Sequence, residues 1–147
     1  MKKISIMMTI VAVVALAGCD TPDKQVVEYT ALPQAAQTFV KTLFADKTPS
    51  VVLKEKGVFD RDYEVVFSDG ASVDFDSKGE WIEVEDRDID GVPQELVPTG
   101  IVTYVTNSHP DQTIVKISKD KRRYEVELSN MVELEFDQNG QLVGYDD

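Results

Sequence analysis

The spacing of apolar positions changes several times along the chain. Residues 4–17 are predominantly apolar, behind Lys2 and Lys3. Ala36, Phe39, Val40, Leu43 and Phe44 then follow i, i+3, i+4, i+7 and i+8, which predicts one amphipathic helix. Pro33 suits its first turn, where the missing N–H costs nothing. Four short runs follow, at 50–58, 61–68, 72–77 and 80–85, and alternation predicts strands there. Tyr63, Val65 and Phe67 share one face, as do Val73 and Phe75. A second helix is predicted from Val97, Ile101, Tyr104 and Val105. Pro98 and Gly100 weaken its first turn, and His109-Pro110 ends it. Strands at 112–119, 122–129, 132–138 and 141–145 complete the chain. Lys78-Gly79 and Asn139-Gly140 read as two-residue hairpin turns. The turns at Asp69-Gly70 and Asn130-Met131 need about three loop residues to keep Val65 with Phe75 and Val126 with Phe136.

The pattern is repetitive. Val73-Asp74-Phe75-Asp76-Ser77-Lys78-Gly79 recurs 61 residues later as Leu134-Glu135-Phe136-Asp137-Gln138-Asn139-Gly140. Tyr63-Glu64-Val65 recurs as Tyr124-Glu125-Val126 at the same offset. Leu32-Pro33-Gln34 matches Val92-Pro93-Gln94 at an offset of 60. Two αββββ copies are expected, over 31–86 and 87–147. One helix covers only one face of a sheet, so the other face is expected to meet water. The predicted class is α+β, a curved antiparallel sheet with helices on one face and an open acidic face.

The start of the chain changes where this sheet is expected to work. A charged pair, a short apolar run and Leu16-Ala17-Gly18-Cys19 read as an export signal ending in a lipoprotein-type box. The apolar run is short for a bilayer span of ~20 residues. Cys19 is the only cysteine. It is the expected lipidation site, which removes it from catalysis and disulfides. Residues 20–30 show no sustained period and are expected to form a tether. Removing 1–18 leaves 13 basic against 27 acidic residues, a net charge of −14. Such a chain repels nucleic acid, and its contact with the membrane is expected through the lipid alone.

In-register pairing places Glu64 beside Asp76, and Asp74 beside both Val66 and Glu83. It places Asp76 opposite Trp81, Glu125 beside Asp137, and Glu127 beside Glu135. Opposed carboxylates around one large aromatic either serve solubility alone or point to a basic protein or peptide as partner. Trp81 is either its anchor or a packing residue at the repeat junction.

Asp86-Arg87-Asp88-Ile89-Asp90-Gly91 has the carboxylate spacing of half a calcium loop. The twelfth position, where a bidentate glutamate belongs, is Val97. The run is either a calcium site built on Asp86, Asp88 and Asp90 or an acidic linker, and calcium is the one cofactor in view. His109 is the only histidine, so Cys–His chemistry is excluded and a Ser–His–Asp triad is disfavoured. Glu64 and Asp76 formally resemble a glycosidase pair, but an open sheet offers no cleft to exclude water. No enzyme is expected.

The ordered run Leu-Pro, helix, Tyr-Glu-Val, Asp-Gly, Val-Asp-Phe-Asp, Gly-Glu-Trp, repeated as Leu-Val-Pro, Tyr104, Tyr-Glu-Val-Glu-Leu-Ser-Asn, Glu-Phe-Asp and Asn-Gly, resembles the PepSY-like family of exported proteins. The resemblance covers about 31–147. It implies tandem repeats like those of β-lactamase-inhibitor protein, and a non-enzymatic envelope protein suspected of binding or inhibiting another protein. Phe44 and His109 fall at the same aromatic-before-turn position.

Overall fold

The computed structural model describes residues 24–58 and 61–146. The leader, Cys19 and the first part of the expected tether lie outside the described residues. Among the described residues, nine strands form one antiparallel sheet in strict chain order. They are β1 (Gln25–Val27), β2 (Pro49–Val58), β3 (Arg61–Phe67), β4 (Ser72–Phe75), β5 (Trp81–Glu85), β6 (Ile114–Lys119), β7 (Arg123–Leu128), β8 (Glu133–Asp137) and β9 (Leu142–Asp146). Helix α1 (Gln34–Leu43) precedes β2, and α2 (Thr99–Ser108) lies between β5 and β6.

The register explains the core. Val27, Val52, Val65, Val73, Val84, Ile117, Val126, Leu134 and Tyr145 are successive cross-strand partners, one row over all nine strands. Period-2 alternation sends each of these residues to the same face. Ala36 and Val40 of α1, and Ile101 and Val105 of α2, join the stretch of that row from Val52 to Leu134 in a single buried cluster, with Val27 packed against it. Phe75 and Phe136 are fully buried in it. Phe39 meets Phe75 edge-on at 5.4 Å, and Tyr104 meets Phe136 likewise at 5.5 Å. Phe44 and His109 occupy the C-caps of α1 and α2, and His109 packs on Tyr104.

Four expectations need correction. Residues 25–27 are a strand rather than tether. Three residues carry no legible period, but β2 supplies their partners, and Val27 prolongs the apolar row. The helix counterpart of Leu32-Pro33 is Val97-Pro98, since Pro33 and Pro98 each precede a helix. The offset is therefore 65 from the helices through β2 and β6, and 61 from β3 and β7 onward. The four-residue difference falls in the β2–β3 hairpin. Lys54 and Tyr63 pair there, where Lys119 and Tyr124 pair between β6 and β7.

The other two corrections concern pairing across turns. The β3–β4 turn holds three residues as expected, but they are Ser68, Asp69 and Gly70, inside a Phe67 N–H to Ala71 carbonyl bond. Glu64 therefore pairs with Asp74 and not Asp76, and Glu125 pairs with Glu135 and not Asp137. The β4–β5 and β8–β9 turns hold three residues rather than two, closed by Asp76 with Glu80 and by Asp137 with Gln141. Their third residues, Gly79 and Gly140, have φ of +86° and +76°, the left-handed position of a three-residue hairpin. Each turn is followed by a bulge, so Trp81 pairs with Phe75, as Leu142 pairs with Phe136. Glycine is also demanded by packing at Gly140, where a Cβ would stand 3.1 Å from the Gly100 Cα at the start of α2.

Candidate acidic sheet face

The residues between the core positions form two rows on the opposite face. Glu64, Asp74, Glu83, Ser118, Glu125, Glu135 and Gly144 are consecutive partners from β3 to β9. Beside them run Ser72, Glu85, Lys116, Glu127 and Glu133. Six of the eight residues expected on this face therefore stand in these rows. Like charges on neighbouring strands cost a few tenths to about 1 kcal/mol per pair. Glu83, Lys116, Glu125, Glu127, Glu133 and Glu135 border a cavity of about 330 Å³.

Two expected members stand elsewhere. Asp76 holds the β4–β5 turn, its Oδ1 accepting from the Lys78 and Glu80 N–H groups at 2.8 and 2.9 Å. The bulge turns Trp81 against the core cluster, with the Lys119 ammonium 4.1 Å from its ring centre. Burial pushes the Lys119 ammonium below its ordinary range. Glu85 and Glu133 also join the face: Glu85 stands opposite Ser72, and Glu133 takes the place opposite Glu127 where Glu135 was expected.

The face also carries its own cations. Lys24 lies 2.5 Å from Glu55 and 3.0 Å from Glu64. Hydrogen bonds to those two carboxylates hold its pKa above the usual lysine range. Arg87 lies 2.5 Å from Glu85 and 2.9 Å from Glu127, and Lys116 lies 3.2 Å from Glu83. Arg123 pairs with Glu135. Such partly exposed pairs contribute little stability each, but they place the surplus of charge. Glu125 and Glu133 have no ion pair among the described residues, so the least compensated charge lies on β7 and β8.

The Asp86–Gly91 run does something different. Asp86 is the one buried charged residue among those described, at 5% exposure. Its Oδ1 accepts from the Asp88 N–H, and its Oδ2 lies 3.0 Å from the Lys47 ammonium. Lys47 also reaches Asp88 at 3.5 Å and pairs with Asp69. Burial pushes the Lys47 ammonium down, but hydrogen bonds to Asp69 and Asp86 outweigh it and raise its pKa. Asp90 lines a separate cavity bordered by Lys47, Asp86 and Asp88, without joining these partners. A lysine thus stands among the carboxylates expected to hold calcium. No group of three histidine, cysteine or acidic side chains among the described residues is arranged to hold a metal ion. Nothing in the sequence marked Lys47, which lies in the α1–β2 loop.

Residues 61–144 match the family described as "Putative beta-lactamase-inhibitor-like, PepSY-like". The chain belongs to the PepSY-like family. Three solved structures of Bacteroides proteins agree. A "putative calcium-regulated periplasmic protein" from Bacteroides thetaiotaomicron is 40% identical, with a TM-score of 0.79 over 85% of this chain and 98% of that one. A "putative periplasmic protein" of the DUF2874 family from Bacteroides vulgatus is 39% identical, with a TM-score of 0.78 over 88% and 100%. A "putative periplasmic protein of unknown function" from Bacteroides vulgatus is 31% identical, with a TM-score of 0.78 over 84% and 99%. A search of curated proteins finds no match. No helix among the described residues of this PepSY-like chain is long and apolar enough to cross a membrane.

Proposed function

We propose that this PepSY-like chain is a non-enzymatic binding module of the cell envelope, inhibitory or regulatory in effect. It presents its acidic sheet face to a basic protein or peptide. The observation that carries the reading is the pair of carboxylate rows on the face opposite the helices. Kinship with proteins described as periplasmic supports an exported location. The Leu-Ala-Gly-Cys19 box supports a lipid anchor. Helix α1 with β2–β5, and α2 with β6–β9, read as two copies of one unit, like the repeats of β-lactamase-inhibitor protein. A crosslinking pull-down from envelope extract tests the reading. Captured protein should fall by at least about tenfold when Glu125, Glu127 and Glu135 are all changed to Lys, a loss of ~1.4 kcal/mol or more. Trp81→Ala should leave capture unchanged, because Trp81 packs against the core. Capture indifferent to the charge reversals would overturn the proposal.

A second reading, calcium tuning, is favoured by the name of the Bacteroides thetaiotaomicron relative. Calcium would have to displace the Lys47 ammonium from Asp86 and Asp88. Wild-type chain should therefore show little melting shift in millimolar calcium. Lys47→Met, which leaves the carboxylates without their cation, should gain several degrees. Thermal melts of both proteins with calcium and with chelator decide it. A strong shift in the wild type, abolished by Asp88→Ala, would establish calcium binding against the lysine.

A further inference from the structure

The two edges of the sheet differ. The β1 edge is three residues long and carries Lys24, clamped by Glu55 and Glu64. Shortness and an edge lysine are how sheets prevent further pairing. The β9 edge has five residues, Leu142–Asp146, with neither lysine nor proline. Val143 and Tyr145 on it are 52% and 67% exposed. No strand lies beyond β9 among the described residues.

Gly144 makes this edge chemically selective. It continues the row of Glu125 and Glu135, yet has no side chain. A Cβ there would stand 3.4 Å from Glu135 Oε2, so that carboxylate oxygen leans over the glycine toward the edge. The other oxygen, Oε1, takes Arg123. A strand added beyond β9 would lie ~4.8 Å away. A residue opposite Gly144 would point along the acidic row with nothing between it and Glu135. The residue before or after it would prolong the apolar row that ends in Tyr145.

We propose that β9 is a docking edge for an extended basic peptide. The peptide adds a tenth strand, with basic residues at alternate positions and apolar residues between them. This deepens the basic-partner reading and rests on it. Main-chain hydrogen bonds give such docking its affinity, and alternate side chains its specificity. A second copy of this chain fits less well. With a net charge of −12, it would bring like rows together.

The test uses the purified chain and a labelled nine-residue peptide of alternating arginine and valine, read by fluorescence anisotropy. Two further versions carry N-methyl groups on every valine or on every arginine. One of these should bind at least about tenfold more weakly, because alternate amides of a strand face the same neighbour. Gly144→Val should weaken binding to a similar degree while leaving the melting temperature unchanged or higher, since the new side chain meets only van der Waals contact. Binding lost on Glu125→Lys but unaffected by Gly144→Val and both methylations would overturn edge docking and leave the acidic-face reading standing. No binding of this peptide or of a scrambled version would overturn both. A dimer seen by light scattering and dissolved by Gly144→Val would assign the edge to a second copy instead.

Discussion

Gly91→Ala is expected to be among the most damaging single substitutions in this chain. Gly91 has φ of +69°, and a Cβ there would lie 2.2 Å from the Ile114 carbonyl oxygen. The left-handed backbone alone costs a residue with a Cβ about 1–2 kcal/mol. The clash is with main chain and cannot be relieved by a rotamer change. Relief requires moving the start of β6, where the Ile114 carbonyl accepts from the Val92 N–H at 2.9 Å. Loss of that bond adds about 1–3 kcal/mol if either group stays buried. Urea denaturation should show a total loss of roughly 3–5 kcal/mol. A loss below ~1 kcal/mol would mean that the linker does not lie against β6 as described.

Phe136→Ala should cost about as much by another route. Phe136 is fully buried, meets Tyr104 edge-on, and faces Tyr124 and Leu142 on its neighbouring strands. Truncating a buried phenylalanine costs ~3–5 kcal/mol, part transfer and part cavity. Phe75→Ala should match it closely, because Phe39, Tyr63 and Trp81 surround Phe75 in the corresponding way. Melting curves of the two variants check this. A large difference between them would show that the two halves do not share one core.

The helices, the long strands and the split between apolar and acidic faces were legible because each writes its period over many residues. The register was harder. It depends on where a three-residue turn begins, and on whether Lys-Gly or Asn-Gly closes a turn of two residues or three. Turns at 68–70 and 129–131, one residue earlier than expected, move every pair by two and put Glu133 rather than Glu135 opposite Glu127. The third residue of the Lys78-Gly79 turn takes Asp76 out of the strand. Trp81 was misplaced for a related reason, since a bulge of one residue exchanges the faces of a strand. Strand β1 is too short to carry a pattern. Lys47 meets Asp69, Asp86 and Asp88 only through the fold. The aspartates were visible as a cation-binding spacing, but their cation is a side chain from elsewhere in the sequence.

On the proposed function, the carboxylate rows form a recognition surface rather than a merely soluble one. The most direct measurement is the affinity of the alternating arginine–valine peptide as salt rises from 20 to 500 mM. It should be made on the wild type and on a variant with Glu125, Glu127 and Glu135 changed to Lys. Screening shortens the reach of charge from tens of ångströms to a few over about this range. Wild-type binding should weaken steeply with salt, and the variant should bind weakly throughout. Equal affinity for the two proteins, with no dependence on salt, would contradict it.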